Sequence, residues 1–460
     1  MGRYLNDHAS LPDQQNYIYA LTDSNLTFLV NGLLNVETRH ISGDALGSTH
    51  SDHVQFGGRI RGTILYHLGY YLEGKNASFW GSRELLQRDR VIGQAYTLGV
   101  TNTHNFDFVE GYARYDANIV SVQLGRERIL WGTGFDQKMI LSDNVRVFDF
   151  VRADVQYKSL KYTFMHAWIL GKRSNLVYTL PSDTSAEFIE PVVADKYVAA
   201  HRLEFSFPGV FDIGAQEMVV YSNRSPDLAY FNPVTLIESA QRSREERDNV
   251  FWAFDIQTRC ISGVELSATF LLDDLNFPDL FTNKWTNRWA GQASLFYADP
   301  FTIRNTSLII EYTRVAPYVF SHGRSRENDY GSLGALLGPR TSPNADSWFV
   351  RIDVLPHRNF TLSARVGLER HGENVVDANG MLIRNVGGDF LQPHRDSDPE
   401  RAPFLDGILM KSTRMQLLCT YEAVRQLWTD VAVEHETIKN TATGIDERNT
   451  TLAIRIRMEL

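Results

Sequence analysis

Long apolar runs are absent from this sequence. The longest candidate, 162–170, covers half of the roughly 18 residues that a helix needs to cross a bilayer, which excludes helical membrane spans. Cysteine is also scarce: Cys260 and Cys419 are the only two, and they fall in separate strand-like segments. We expect both to act as isolated small apolar side chains and not as a disulfide or a metal pair.

Basic blocks and catalytic motifs are missing as well. The net charge of -9 comes from interleaved charges of both signs, without a basic run that would follow a phosphate backbone, so nucleic acid is not an expected partner. The sequence has no zinc-protease helix motif, no phosphate-cradling glycine loop and no nucleophile elbow. We therefore predict no catalytic residues, no metal site and no cofactor, and a protein that is not an enzyme.

A regular alternation of apolar and polar residues is present instead. In the last segment, 451–460, leucine, isoleucine and methionine at even positions alternate with threonine, alanine, arginine and glutamate at odd positions. This period of two predicts a β-strand with one oily and one mainly polar face. A strand of a soluble protein is usually about 5–6 residues long, whereas a membrane-crossing strand needs about 9–11. The segment has the length of a membrane-crossing strand.

The alternation recurs in pairs of segments joined by very short turns. The hairpin turns are expected at 116–118, 158–159, 208–209, 262–263, 299–300, 356–359 and 423–425. Longer polar connections separate the hairpins, at 76–105, 132–146, 172–197, 223–247, 274–287, 316–345 and 371–411. This rhythm is typical of outer-membrane barrels, which have short periplasmic turns and long external loops.

The strand count depends on one stretch near the N-terminus. The apolar positions of 53–74 keep the same parity throughout. If this stretch is a hairpin with a three-residue turn, the chain forms about 18 strands, and if it is one bent strand, about 16 is the even alternative. An even number places both ends of the barrel on the periplasmic side.

Aromatic residues, at 12% of the chain, have a natural place at the rims of such a barrel. Next to long loops lie Trp168, Trp252, Trp289 and Trp348, and beside short turns lie Tyr157 and Trp428. The alternative is that these rings form the core of a soluble β-protein. That alternative does not explain the regular change between short and long connections.

The face opposite the oily one carries charges of both signs. Closely spaced examples are Arg152 with Asp154, Arg202 with Glu204, Asp255 with Arg259, Arg351 with Asp353, and Arg365 with Glu369. We expect most of them to pair across neighbouring strands in a wet interior. A constriction that selects solutes is the alternative interpretation.

The sequence therefore predicts an all-β transmembrane antiparallel barrel over residues 25–460, preceded by a periplasmic segment over 1–24. The expected location is the outer membrane of a Gram-negative-type envelope, with membrane lipid as a partner. Such a barrel must first be secreted, yet residues 1–17 lack a basic region followed by an apolar one. We expect that a signal peptide has been removed.

One segment, 124–148, has the most individual character. It contains Gly125 and Arg126, then Trp131–Gly132–Thr133–Gly134, and then Leu141–Ser142–Asp143–Asn144. Its glycines allow a sharp bend beside the tryptophan, which fits a chain that folds back over or into a pore. Further along come Phe231–Asn232–Pro233, Asp248–Asn249 and Asp273–Asp274. In order and spacing these motifs resemble the Wzi-type family of capsule-assembly outer-membrane proteins, over roughly residues 100–315.

The resemblance implies a monomeric barrel of about 18 strands whose lumen is largely closed by its own loops. It also implies a short helical portion on the periplasmic side, at the N-terminus. Members of the family act as outer-membrane lectins that anchor or organise capsular polysaccharide at the cell surface. Capsular or exopolysaccharide is therefore an expected partner of this chain.

Polysaccharide is expected to contact aromatic platforms and polar groups on the long loops, since sugars offer both apolar faces and hydroxyls. The candidate residues are Trp80, Arg126, Trp131, Asn144, Tyr230 and Trp285, with Gly125, Gly132 and Gly134 shaping the loop motif. Two other functions stay open. A porin or substrate-specific channel would transport solutes, and a structural barrel would be a subunit of a larger complex with other envelope proteins.

Overall fold

The computed structural model describes residues 16–90, 92–94, 104–180, 183–243, 248–273, 277–323 and 326–460. The strands are β1 (Tyr19–Thr22), β2 (Leu26–Gly43), β3 (Gly47–Ile64), β4 (Leu68–Gly81), β5 (Asn105–Ala117), β6 (Val120–Glu127), β7 (Phe148–Tyr157), β8 (Leu160–Leu180), β9 (Asp183–Phe207), β10 (Phe211–Ser222), β11 (Asn249–Ile261), β12 (Val264–Asp273), β13 (Trp289–Ala298), β14 (Thr306–Val315), β15 (Gly331–Ser332), β16 (Ala335–Leu336), β17 (Ala345–His357), β18 (Phe360–Glu373), β19 (Val375–Val376), β20 (Leu382–Arg384), β21 (Ile408–Val424), β22 (Leu427–Asn440) and β23 (Asp446–Glu459). The helices are α1 (Arg83–Gln87) and α2 (Ile237–Ser243), and short 3-10 turns occur at Ile92–Gln94, Leu228–Phe231, Phe277–Asp279, Pro300–Thr302 and Arg326–Asn328. None of the helices in these ranges is long and apolar enough to span a membrane.

Eighteen of these strands form a closed ring in chain order, each antiparallel to its neighbours. The short pairs β15–β16 and β19–β20 lie outside the ring, in loops. The ring closes where β2 pairs with β23, beginning at Leu33 opposite Glu459. β1 continues the same ladder, because it pairs with the first part of β2 from Tyr19 opposite Val30. The predicted barrel is confirmed, with 18 strands and not 16.

The stretch 53–74 is a hairpin with a three-residue turn. β3 ends at Ile64, β4 begins at Leu68, and the two residues pair with each other. Leu65 and Tyr66 make the reversal with φ of 51° and 61°. Paired residues point to the same face, so a turn of three residues leaves the even-numbered positions on the outer face of both strands. This explains why the pattern reads as one continuous strand.

One expected loop is a strand pair. The sequence predicts a polar connection over 172–197, and this prediction is wrong, because β8 and β9 run through it as a long hairpin. After an irregularity that ends at Arg173, the pairing resumes with Arg173 opposite Val193 and continues towards the tip. Backbone pairing satisfies the peptide groups of both arms, so the hairpin forms without an alternating apolar pattern.

Alternation divides each wall strand into an outer and a lumenal face. On β23 the outer residues Leu452 and Ile456 expose 41% and 43% of their surface. On the opposite face, Arg455 and Arg457 reach Asp430 of β22 at 2.9 and 2.8 Å. Exposed apolar side chains around a closed ring form a lipid-facing belt, since lipid solvates them and water does not.

Three of the five expected charge pairs form, each within its own strand, and Asp154 also pairs between strands with Arg114 at 3.1 Å. The distances are 2.9 Å for Arg152–Asp154, 3.1 Å for Arg202–Glu204 and 2.9 Å for Arg351–Asp353. Asp255 pairs with Arg202 at 2.6 Å instead of with Arg259, because an irregularity in β11 begins after Thr258. Arg259 lies beside the short turn and pairs with Glu265 at 3.0 Å. The two cysteines are both free, as expected.

The tryptophans at the loop-side rim lie where they are expected. Trp252, Trp289 and Trp348 occupy the loop-side ends of β11, β13 and β17, on the outer face. The prediction for Trp428 is wrong. This residue shares the face of Asp430 and its ring centroid lies 5.5 Å from the Arg457 guanidinium, so it points into the lumen. Proximity to a short turn does not determine the face of a residue, which depends on register alone.

Two long loops fold back into the lumen and form a plug, defined here as residues 128–147, 316–323 and 326–344. Its centre is apolar, and the side chains of Met139, Ile140 and Leu337 are completely buried. The loops are joined by hydrogen bonds such as that from the Tyr330 hydroxyl to the Ile140 carbonyl, at 2.5 Å. The plug packs on the lumenal faces of β7 to β14, leaving polar groups along the rest of the wall.

Glu311 of β14 fastens the plug to the wall. This residue is only 2% exposed. Its carboxylate accepts hydrogen bonds from the backbone N–H groups of Phe135 at 2.6 Å and of Asp136 and Gln137 at 3.3 Å. On the wall side, the Ser294 hydroxyl donates at 3.0 Å. A buried carboxylate with donors on both sides is costly to remove, because the donors lose their acceptor.

Glu311→Ala should therefore release the plug locally while leaving the wall intact. Hydrogen bonds to a charged acceptor are worth about 1.5–3 kcal/mol each, so amide exchange across 133–138 should become about tenfold faster or more. Hydrogen–deuterium exchange on the detergent-solubilised protein measures this. Glu311→Gln keeps an acceptor oxygen and should lose less protection, and the exposed Glu447→Ala is the control. Unchanged exchange at 133–138 in Glu311→Ala would show that the plug does not depend on this carboxylate.

Candidate functional site

Two adjoining polar cavities occupy the part of the lumen that the plug leaves open. Their volumes are about 400 and 430 Å3. Both are lined by Arg365, Arg414, Gln416, Glu434 and Glu436, so they share a wall on β18, β21 and β22. Along β22 the lining extends from Ile438, near the loop-side end, to Asp430, near the short-turn end.

Strand register brings the charged groups of this wall together. Arg414 and Glu436 are paired residues of β21 and β22, and the guanidinium lies 2.5 Å from the carboxylate. Gln416 and Glu434 are also paired, and the amide donates to the carboxylate at 2.9 Å. On neighbouring β18, Arg365 faces the same space, and its guanidinium donates to the Ser363 hydroxyl at 3.3 Å.

Loop residues close the cavities on the remaining side. Arg90 and Asp89, which follow α1, line the first and second cavity respectively. Asp89 is 3.0 Å from Arg39 of β2, which ties this loop to the wall. Arg340 and Asp136 of the plug complete the first cavity and are themselves an ion pair at 3.4 Å. The lining therefore offers a dense set of hydrogen-bond donors and acceptors, suited to holding a hydroxylated or charged solute without covalent chemistry.

The residues predicted to bind polysaccharide do not form one cluster. Trp131 and Asn144 lie inside the plug, 6% and 9% exposed. The Asn144 amide donates to the Leu336 carbonyl at 2.9 Å, and the Trp131 ring lines a third cavity of about 390 Å3 near the short turns, together with Arg202. Gly132 adopts φ of 106°, a conformation that allows the sharp bend beside Trp131. A Cβ on Gly134 would lie 2.1 Å from the Gln137 carbonyl oxygen.

The other predicted residues lie on the outer wall or on the loops. Tyr230 is 1% exposed and its hydroxyl donates to Asp248 at 2.6 Å. Arg126 is half-exposed on the outer face and its Nε donates to Asp149 at 2.8 Å. Trp80 is 55% exposed at the loop-side end of β4, also on the outer face.

Trp285 lies where two external loops meet, on a surface that we call the ridge: residues 283–287 and 394–402. Its ring stacks on His394 with centroids 4.1 Å apart and planes 9° apart. Its backbone N–H donates to the Glu400 carbonyl at 3.0 Å, and the Arg288 guanidinium lies 5.1 Å from the ring centroid. The indole stays partly exposed, and the exposed Lys284 beside it binds Asp279 at 2.7 Å.

Sequence reasoning identified Arg365 and Glu369 as lumenal, but missed the rest of the cavity lining. Arg414, Glu434 and Glu436 alternate along β21 and β22 in the same way as the residues that were identified, so the signal was present in the parity of those strands. Arg90 and Arg340 come from loops, and no local pattern places them in the lumen.

Asp398 organises the loop that carries His394. Its carboxylate accepts hydrogen bonds from the Arg395 side chain at 2.6 and 2.9 Å and from the Asn385 amide at 3.0 Å. Burial alone would raise the pKa of this carboxyl, but the hydrogen bonds from Arg395 and Asn385 outweigh it and lower the pKa below 3.8. The ionised Asp398 carboxylate therefore stabilises this loop above pH 3.8, and the stabilisation is lost as the pH falls through the lowered pKa.

Asp398→Ala should consequently loosen 392–400 at neutral pH. Removing the shared acceptor leaves the Arg395 and Asn385 donors without their partner, so amide exchange in this segment should rise severalfold. In the unmodified protein the same rise should appear only below pH 3.8, after correction for the intrinsic exchange rate. Asp396→Ala, two residues away and exposed, is the matched control. Equal exchange in the two variants would contradict this role of Asp398.

Comparison with known proteins bears on these features. A family model described as capsule assembly protein Wzi matches residues 42–331, more than half of the chain. A search of curated protein sequences gives no significant match. Among solved structures, Escherichia coli Wzi is similar, with a TM-score of 0.55 and 10% identity over 92% of this chain and 83% of that one. It is described as an outer membrane protein involved in Group 1 capsule assembly and as a carbohydrate-binding β-barrel.

Porin-like barrels are similar too. OccK5 (OpdH) of Pseudomonas aeruginosa has a TM-score of 0.50 and 9% identity over 94% of this chain and 98% of that one. A BenF-like porin of Pseudomonas fluorescens has a TM-score of 0.49 and 11% identity, over 94% and 99% of the two chains. At such identities the Wzi and OccK5 structures support the fold alone, whereas the family match goes further and confirms the expected resemblance. This chain is an outer-membrane β-barrel and belongs to the Wzi family of capsule-assembly proteins.

Proposed function

We propose that this barrel binds capsular or exopolysaccharide at the cell surface and holds it there without cleaving it. The observation that carries the proposal is the family match over 42–331. The carbohydrate binding stated for Escherichia coli Wzi supports it. The plug supports it as well, because a lumen filled beside β7 to β14 suits retention of a polymer outside the membrane better than free passage.

The ridge is the proposed contact surface. A sugar ring presents an apolar face that packs on an indole, and hydroxyls that need donors and acceptors around it. Trp285 supplies the partly exposed indole, with His394 holding it in place at 4.1 Å. Lys284 and Arg395, whose side chains are 55% and 37% exposed, supply donors on either loop.

The remaining predicted residues are proposed to act in two ways. Trp80 and Arg126 are accessible on the outer face at the loop-side rim, where they would contact polysaccharide strands lying along the membrane surface. Trp131, Asn144 and Tyr230 are buried and would act as positioning residues, holding the plug and residues 223–243 in shape. Gly125, Gly132 and Gly134 would serve the same purpose through the backbone.

Trp285→Ala is expected to weaken polysaccharide binding. Aromatic stacking is worth about 0.5–1.5 kcal/mol beyond area burial, so the affinity should fall about threefold to tenfold. Surface plasmon resonance with immobilised protein and polysaccharide purified from the producing strain measures the change. Tyr157→Ala is the control, since Tyr157 is a 60% exposed aromatic beside a short turn, at the opposite end of the barrel. Identical affinity of the Trp285 variant and the unmodified protein would remove the ridge from the binding surface.

A solute channel is the second candidate function, and the adjoining cavities favour it. They follow β22 from Ile438 to Asp430 and carry charged side chains along their length, as a path for small hydrophilic solutes requires. Charges on both sides of the path, such as Arg365 and Glu434, would set its ion preference.

The channel function predicts steady unitary conductance in planar bilayers. Arg414→Ala should then shift the reversal potential towards cation preference, because it removes one positive charge from both cavities and leaves the Glu436 carboxylate unpaired. Arg425→Ala, outside the cavity lining at the β21–β22 turn, controls for net charge. A silent bilayer with correctly inserted protein would eliminate the channel and leave polysaccharide binding untouched.

A further inference from the structure

The loop between β10 and β11 packs on the outside of the barrel. We call residues 227–243 the strap; they include the 3-10 turn Leu228–Phe231 and helix α2. Phe231 stacks on His166 of β8 with centroids 4.0 Å apart, and Tyr230 packs on Tyr221 of β10 at 5.0 Å. His166 shares the face of Leu160, which is 43% exposed on the outer wall. The strap therefore covers the lipid-facing side of β8 to β11 and not the lumen.

Contacts near the short-turn end show how far down the wall the strap reaches. The Tyr162 hydroxyl donates to the Pro233 carbonyl, and Tyr162 is only two residues from Leu160, where β8 begins. A membrane-crossing strand needs about 9–11 residues, so this contact falls within the span and not above it. The strap thus lies at membrane depth, on a wall whose other sectors face lipid.

Irregular backbone at this depth is tolerated only when its polar groups have partners. The outward carboxylate of Glu217 accepts from the N–H groups of Ile237 at 2.8 Å and Glu238 at 2.7 Å. Asp227 accepts from Ala229 at 2.9 Å, and Asn232 accepts from Val234 at 3.2 Å.

Pro233 has no N–H, and its carbonyl is bound to Tyr162. The Trp252 indole donates to the Glu238 carboxylate at 3.2 Å, so the strap is also fastened to β11. The strap thereby satisfies the Glu217 carboxylate and covers the His166 ring, both of which would otherwise face hydrocarbon.

Three large apolar side chains project from the outer surface of the strap, which also carries the exposed Arg242, paired with Glu238. Leu228, Val234 and Leu236 expose 83%, 88% and 59% of their surface. The adjacent outer wall is apolar as well, with Leu203 and Phe254 exposed by 47% and 44%. The three strap residues therefore continue the lipid-facing belt of the barrel beyond the wall itself. Water does not favour three large apolar side chains so fully exposed, whereas acyl chains do.

We propose that the strap is embedded in the hydrocarbon of the outer membrane, with Leu228, Val234 and Leu236 in contact with lipid acyl chains. It is a lipid-binding surface that widens one side of the barrel. Its occupant is hydrocarbon, and neither a second protein nor the external aqueous phase covers it.

Site-directed spin labelling in phosphatidylcholine–phosphatidylglycerol vesicles tests this. In a background with Cys260→Ser and Cys419→Ala, a single nitroxide is placed at Val234→Cys. The controls are Leu417→Cys, on the lipid-facing side of β21 at 66% exposure, and Asn379→Cys, in an exposed external loop. Collision rates with oxygen, which partitions into lipid, and with a water-soluble nickel chelate are compared. Leu236→Cys provides a second strap site if the first variant fails to insert.

The strap label is expected to match Leu417→Cys, with oxygen accessibility within twofold and nickel accessibility severalfold below that at Asn379→Cys. Nickel accessibility equal to that at Asn379→Cys would place the strap in water and overturn the proposal. Protection from both reagents would mean that protein covers the strap, which also overturns it.

Discussion

Closure of the backbone hydrogen-bond ladder is the constraint on which the whole structure depends. In hydrocarbon a peptide group has no partner other than the protein, and each unsatisfied one costs several kcal/mol, so an open sheet edge is not tolerated. Closure is achieved where β2 meets β23. The ladder of β23 reaches Gly32 through Leu460, and β1 takes over at Val30, so two separate strands together cover the full length of β2.

A closed ring of 18 strands has a lumen that is too wide for the wall side chains to fill, so the rest of the space must be filled by loops or left open. Part of the space is filled by the plug, and the wall is adapted to what it faces. Beside the plug many lumenal residues are small or apolar, such as Ala200, Ala253 and Ala290, and the polar ones, such as Glu311 and Gln292, are bound to plug backbone. Along β18, β21 and β22 they are arginine, glutamine and glutamate, and there the lumen holds cavities. The composition of each lumenal face thus records whether protein or open space lies opposite.

Strands and turns could be predicted because the signal for them is local. The parity of 451–460 alone assigned its two faces, and short turns such as 158–159 appeared where the alternation broke. The stretch 53–74 stayed ambiguous for a definite reason: a three-residue turn preserves parity. Trp428 was assigned to the wrong face because its position beside a turn was used without its register.

The positions at which the long loops pack against the barrel could not be predicted in the same way. Glu311 and Gln137 lie far apart in the sequence, and no periodicity connects a strand carboxylate with the loop amides that it binds. Trp131 and Tyr230 were selected as exposed loop aromatics, yet one packs inside the barrel and the other against its outer wall. The loop aromatics of this protein lie in three places: the plug, the outer wall and the external surface. The sequence around each aromatic does not distinguish these places.

One external loop links the ridge to the first cavity. The loop 374–407 begins at the end of β18, where Glu373 lines the first cavity, and the same loop carries His394 of the ridge. Its position is fixed by Asp398 and by the Asn344 amide, which donates to the Gly372 and Asp406 carbonyls at 2.8 and 3.0 Å. The proposed polymer-binding surface and the mouth of the first cavity are therefore formed by one segment of chain.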